Sequence, residues 1–127
     1  MDLETASRRA LLVWLASICA VGFVLAPVAF SRMASREAGD FLRPFFAGVD
    51  WFGVATAVLL AFAIRTKRVR FVLAVSMGAA ALVDRLWLAP KVAARIEPTG
   101  LYHGLSTGSW MLILVAGVVV LWIGRRA

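Results

Sequence analysis

The sequence predicts an all-α membrane protein, a four-transmembrane-helix bundle built from two parallel-oriented αα-hairpin repeats. Three observations predict it. The 127-residue chain is 62% apolar and only 17% charged, with a mean hydropathy of +0.88, against about 45–50% and about 25% in a soluble domain. It holds four long runs that are apolar and almost free of charge. A short motif, Leu-Ala-Pro, returns sixty-three positions after its first appearance.

A helix needs roughly 20 apolar residues to cross about 30 Å of hydrocarbon. Four spans qualify, at about residues 10–30, 45–64, 70–89 and 104–124. The first and last carry no charge. The second carries Asp50, and the third carries none between Arg70 and the Asp84-Arg85 pair near its end. Pro27 and Pro90 sit late in the first and third spans. A proline there kinks the helix or marks its exit, because it lacks the N–H that the turn needs. The first span is longer than the core of about 7–15 residues of a secretory signal, and its end recurs internally. It is therefore expected to be retained.

Residues 24–33 read VLAPVAFSRM and residues 87–96 read WLAPKVAARI. Leu25-Ala26-Pro27 matches Leu88-Ala89-Pro90, and Arg32 matches Arg95. The second helices align at an offset of fifty-nine: Asp50-Trp51 with Ser109-Trp110, Ala57 with Ala116, Ile64 with Ile123. Two pseudo-repeats follow, about 1–66 and 67–127, within a single four-helix domain. Each starts and ends on the same membrane side, as in a parallel repeat about an axis along the membrane normal. Each Leu-Ala-Pro then ends a crossing, and the arginine five residues on lies in the headgroup layer, where it binds phosphate or snorkels.

The net charge is +7. The cations lie between apolar runs rather than on one continuous face, so the expected partner is anionic phospholipid and not nucleic acid. Arg8, Arg9, Arg65, Lys67, Arg68, Arg70, Arg125 and Arg126 fall on one side of the membrane. Arg32, Arg36, Arg43, Arg85, Lys91 and Arg95 fall on the other. The loop from Arg65 to Arg70 holds four cations in six residues close to two helix ends, where the positive-inside rule acts most strongly. Both termini are thus expected in the cytoplasm of a bacterial cell, with the chain in its inner (cytoplasmic) membrane. Glu37, Asp40, Asp50, Asp84 and Glu97 then fall on the outer half. Cys19 is the only cysteine, so neither an internal disulfide nor a cysteine zinc site is available.

A charge within hydrocarbon costs about 2.5–3.5 kcal/mol on insertion scales, so it has a partner or a purpose. Asp84 lies about fourteen residues, or about 21 Å, from the inner edge of its helix. Asp50 and His103 fall in the same outer layer. The expected feature is an outward-facing polar pocket of Arg32, Asp50, Asp84, Arg95 and His103, with Arg85 snorkelling outward. The alternative is that the two aspartates pair with arginines and only hold the helices in register. Gly100, Gly104 and Gly108 share one face of the fourth helix, where backbones approach closely. That face is expected either to meet Ser76, Ala80 and Asp84 on the third helix or to join a homodimer or larger membrane complex. No catalytic fingerprint occurs, so no catalytic residue is expected and nothing in the sequence argues for an enzyme. One histidine makes neither a zinc site nor a bis-histidine haem site, and Met33, Met77 and Met111 are dispersed. No metal and no cofactor are expected; haem or copper held through His103 is the alternative.

The stretch GFVLAPVAFSRMASREAGDFLRPFF, then DWFGVATAVL, then YHGLS before the last span, resembles the transmembrane protein 205-like family. The features that carry it are the Pro27–Phe30 exit, Ala38-Gly39 and His103-Gly104-Leu105-Ser106. The resemblance implies a polytopic four-helix membrane protein of unknown activity, in a family linked in eukaryotes to platinum-drug resistance. More distantly, Gly22, Leu25, Pro27 and Phe30 are similar to the first-helix pattern of copper-resistance D-like and protoporphyrinogen-oxidase-like membrane proteins. Those use histidines on more than one helix, and this chain has none on its first. The expected role is a non-enzymatic accessory subunit or a small-ligand transport or resistance module; the alternative is a redox, metal- or haem-handling protein using His103.

Overall fold

Asp2 starts the first helix. Its carboxylate accepts the Thr5 backbone N–H at 2.7 Å, as an N-cap does, and that bond holds its pKa below the ordinary carboxylate value. The computed structural model describes residues 1–95 and 99–126, and Glu97 lies outside them. Four helices long and apolar enough to cross a membrane make up the fold: α1 (Leu3–Arg32), α2 (Ser35–Ala63), α3 (Arg68–Ala93) and α4 (Thr99–Arg126). No strand occurs among the described residues. Consecutive helices pack on one another, and of the neighbouring pairs around the bundle α1 and α4 pack least closely.

The first and third helices run through their prolines instead of ending there. Each contains a π-helical stretch just upstream, Ala20–Leu25 before Ala26-Pro27 and Asp84–Leu88 before Ala89-Pro90. A proline ring crowds the carbonyl four residues back and offers no N–H. Bonding across five residues relieves both problems and keeps the helix continuous. The expected polar segment between α1 and α2 is also helical. Only Met33 and Ala34 separate the two. At about 1.5 Å per residue α2 is about 44 Å long, so its first turns, with Arg36, Asp40 and Arg43, project beyond the hydrocarbon.

The inward faces recur where the sequence motif recurs. Leu11, Trp14, Ile18 and Val21 on α1 are buried, and so are Ala74, Met77, Ala81 and Asp84 at an offset of sixty-three on α3. On α2, Asp50, Gly53, Thr56, Ala57 and Leu60 face inward; on α4, Trp110, Ile113, Ala116, Gly117 and Val120 do so. The offset there is sixty, which corrects the fifty-nine read from residue identities. Trp51 accordingly is not the counterpart of Trp110: it is half exposed, whereas Trp110 is buried. Identities in an apolar sequence do not register helix faces, and one residue of error rotates a face by about 100°.

Close approach is set by small residues opposite large ones. A Cβ at Gly53 would stand 2.1 Å from the buried Trp14 ring. A Cβ at Gly117 would meet Leu15 at 2.6 Å, and one at Gly78 would meet Ala57 at 2.9 Å. Positions 15 and 117 correspond to 78 and 57 under the two offsets, so one contact is made twice, as leucine against glycine and as glycine against alanine. At the end that carries the termini, Glu4 accepts from Arg70 at 3.1 Å and pairs with Lys67 at 3.4 Å, which ties α1 to the start of α3.

The glycine face of α4 does not meet α3. Nothing lies within 4 Å of a Cβ built at Gly100, Gly104 or Gly108, and Ser76 is exposed, bonded to its own helix at Val72. Gly104 and Gly108 sit two residues before Ser106 and Trp110, about 200° around the helix, and the latter pair takes the inward direction.

Gly53→Ala should lower the thermal midpoint in detergent by the equivalent of about 1–3 kcal/mol, as overpacking does. Gly48→Ala on the same helix, with nothing within 4 Å, should not lower it. Equal effects of the two changes would refute the Trp14–Gly53 contact.

Candidate functional site

Asp50 and Asp84 are 1% and 3% exposed, and each is met by a donor from α4. Trp110 Nε1–H donates to Asp50 Oδ1 at 3.0 Å, and Ser106 Oγ–H donates to Asp84 Oδ1. The donors lie four residues apart, on one face of α4. Asp50 Oδ2 is buried without a partner. The Trp110 ring is fixed from two other sides, edge-on to Phe46 at 5.2 Å between centroids and 3.5 Å from where a Cβ on Gly22 would be. The register alternative expected arginine partners; among the described residues neither aspartate takes one as its direct hydrogen-bond partner, and the donors that meet them are a tryptophan and a serine.

Above this layer, at the end away from the termini, a cleft of about 990 Å³ opens. Ligand sites fall at roughly 300–1,000 Å³. Its floor includes Asp84, Ser106 and Trp110, and its wall on α1 runs from Ile18 through Phe23 to Phe30. Among the described residues that line it, the cations are Arg36, Arg43, Arg85 and Arg95. Of the five residues expected in a pocket, Asp84, Arg95 and His103 line the cleft. Asp50 lies beneath it, behind Trp110. Arg32 is exposed on the last turn of α1 and is not among the lining residues.

Arg85 corrects the expectation that it snorkels outward. It is only partly exposed, lines the cleft, and its Nη1 is buried without a partner. It follows Asp84 within the π-helical stretch, so the two ionisable residues of the span share the widened turn. Arg95 has a left-handed backbone, φ 53°, at the residue after the α3 C-cap Ala94, where glycine is usual. His103 is exposed. Among the described residues no group of three side chains suits a metal ion.

Sequence reasoning missed Ser106, Trp110, Arg36 and Arg43. Ser106 stood in the His103–Ser106 motif, and Trp110 takes the place of Asp50 once the offset is sixty. Arg36 and Arg43 carry no signal except charge, because their place depends on how α2 starts. Asp40 and Arg43 pair with each other at 3.0 Å.

Fold and site together define a multi-pass helical membrane protein with a polar, arginine-edged cleft at one end. Residues 10–97 match the domain of unknown function DUF4149, and the chain belongs to that family. No curated protein and no solved structure matches the chain.

Trp110→Phe removes a donor from a buried carboxyl and should cost about 1–3 kcal/mol. In an Asp50→Leu background the same change should cost much less, and a double-mutant cycle of unfolding free energies measures the difference. Additive costs would show that the pair is not coupled.

Proposed function

We propose that this chain is a non-enzymatic inner-membrane protein that receives a small ligand in the cleft, as an accessory subunit or as a transport or resistance module. One observation carries the reading: a buried, unpartnered guanidinium donor, Arg85 Nη1, lies in the lining of a cleft of about 990 Å³. Buried polar groups are paired as a rule, so a donor left over in a concave site is a place for an acceptor to bind. With both termini and the cation-dense Arg65–Arg70 loop in the cytoplasm, the cleft faces outward. The resemblance to the transmembrane protein 205-like family, linked in eukaryotes to platinum-drug resistance, favours the resistance form. Anionic phospholipid surrounds the cationic helix ends in this reading, and the exposed Gly100, Gly104 and Gly108 face is offered to a second copy.

The bundle originates in this reading from a duplicated hairpin. The recurring burial at sixty-three and sixty residues and the π-helical stretch before each Leu-Ala-Pro support it. No observation favours the redox alternative through His103.

Cysteine labelling tests the cleft and its direction. In a Cys19→Ser background, Thr107→Cys lies on the cleft lining and Val115→Cys on an exposed face within the span. A membrane-impermeant maleimide added to intact cells should label the first and leave the second unlabelled. Labelling of Thr107→Cys only from the cytoplasmic side, or not at all, would overturn the reading.

A further inference from the structure

We infer that the ligand of this cleft is an anionic amphiphile, a phosphate-type oxyanion head on an apolar chain; the inference rests on the cleft reading above. The charge of the lining carries the head. Among the described residues of the lining, four arginines stand against two aspartates. Asp40 is occupied by Arg43 at 3.0 Å, and Asp84 accepts from Ser106. Arg85 Nη1 is left buried without an acceptor among the described residues. A guanidinium fork matches the spacing of oxyanion oxygens and stays charged at every physiological pH. A cationic ligand would be repelled, and a neutral one would leave the buried Arg85 donor poorly satisfied.

The wall carries the chain. From Ile18 to Phe30, α1 lines the cleft along a stretch of thirteen residues, about 18 Å of rise. Phe46 and Met111 face the same space. Phe23 and Phe30 are about half exposed, at 54% and 47%, so this wall continues to the lipid-facing surface. Free phosphate would satisfy the arginines and leave that wall unfilled. An alkyl chain covers it and takes its own apolar surface out of water.

The test uses the full chain purified in non-ionic detergent, with dodecyl phosphate as the probe and native mass spectrometry as the readout. One dodecyl phosphate per chain should be retained. Arg85→Gln should weaken retention about tenfold, the worth of one charge-assisted hydrogen bond. Arg95→Gly should weaken it without loss of fold, because glycine suits a backbone at φ 53°. Arg32→Gln, outside the lining, should bind like the wild type. Inorganic phosphate retained equally well would overturn the amphiphile in favour of a free anion. Dodecyl maltoside displacing the probe at equal concentration would show that the head is not recognised, and an equal loss in Arg32→Gln would reduce binding to surface charge; either result overturns the inference. If Thr107→Cys is labelled from outside while dodecyl phosphate fails to bind, the cleft stands and the ligand class falls.

Discussion

A carboxyl at hydrocarbon depth has to be met by a donor, and most of this bundle follows from how Asp50 is met. Between helices in a bilayer there is no hydrophobic driving force, so association rests on packing and on polar contacts. Trp110 reaches Asp50 at 3.0 Å across the bundle, which fixes the rotation of both α2 and α4. With Trp110 inward, Ile113, Gly117 and Val120 are inward too. Gly100, Gly104 and Gly108 are turned out by the same rotation. Ser106, one turn before Trp110, then meets Asp84 and sets α3 against α4. Distance between helices is set separately, by glycine beneath a large side chain, most tightly at Gly53 under Trp14.

The two prolines give the bundle its second regularity. Each could end its helix; instead a π-helical stretch absorbs the missing donor and the ring clash. On α1 that stretch carries only apolar residues and glycine. On α3 it begins at Asp84 and includes Arg85. Such widened turns are frequent at functional sites, and the one on α3 lies at the floor of the cleft. Matched backbone features thus support different chemistry, because the side chains on them differ.

Charge is handled differently at the two ends. At the termini end, Glu4 holds Lys67 and the buried Arg70, while Arg65 and Arg126 stack on Phe62 and Trp122 at 4.5 and 4.1 Å. At the far end Lys91 lies between Trp87 and Tyr102, 5.3 and 5.4 Å from their ring centres, in the manner of an interfacial anchor. Arg43 has Asp40. Arg70 keeps one buried donor, Nη2, unpaired but is held by Glu4 through Nη1, whereas Arg85 has its buried Nη1 in the cleft lining with no acceptor among the described residues, and it is also the arginine deepest along its helix.

Composition and run length by themselves determined the class: four long apolar runs leave no soluble alternative, since only helices satisfy every backbone group within a single segment in lipid. The Leu-Ala-Pro repeat also carried real structural content, because a proline imposes the same local backbone wherever it stands. Asp50 and Asp84 were legible as exceptional because an acid in an apolar span is costly. What stands opposite them was not legible. Trp110 is an ordinary interfacial residue in sequence, and a shift of one residue in the repeat exchanges it with the exposed Trp51. Helix rotation also decided that Arg85 turns into the cleft and that the α4 glycines turn away from α3. Rotation depends on every inward contact at once, and a span apolar on all faces has no periodicity from which to read it.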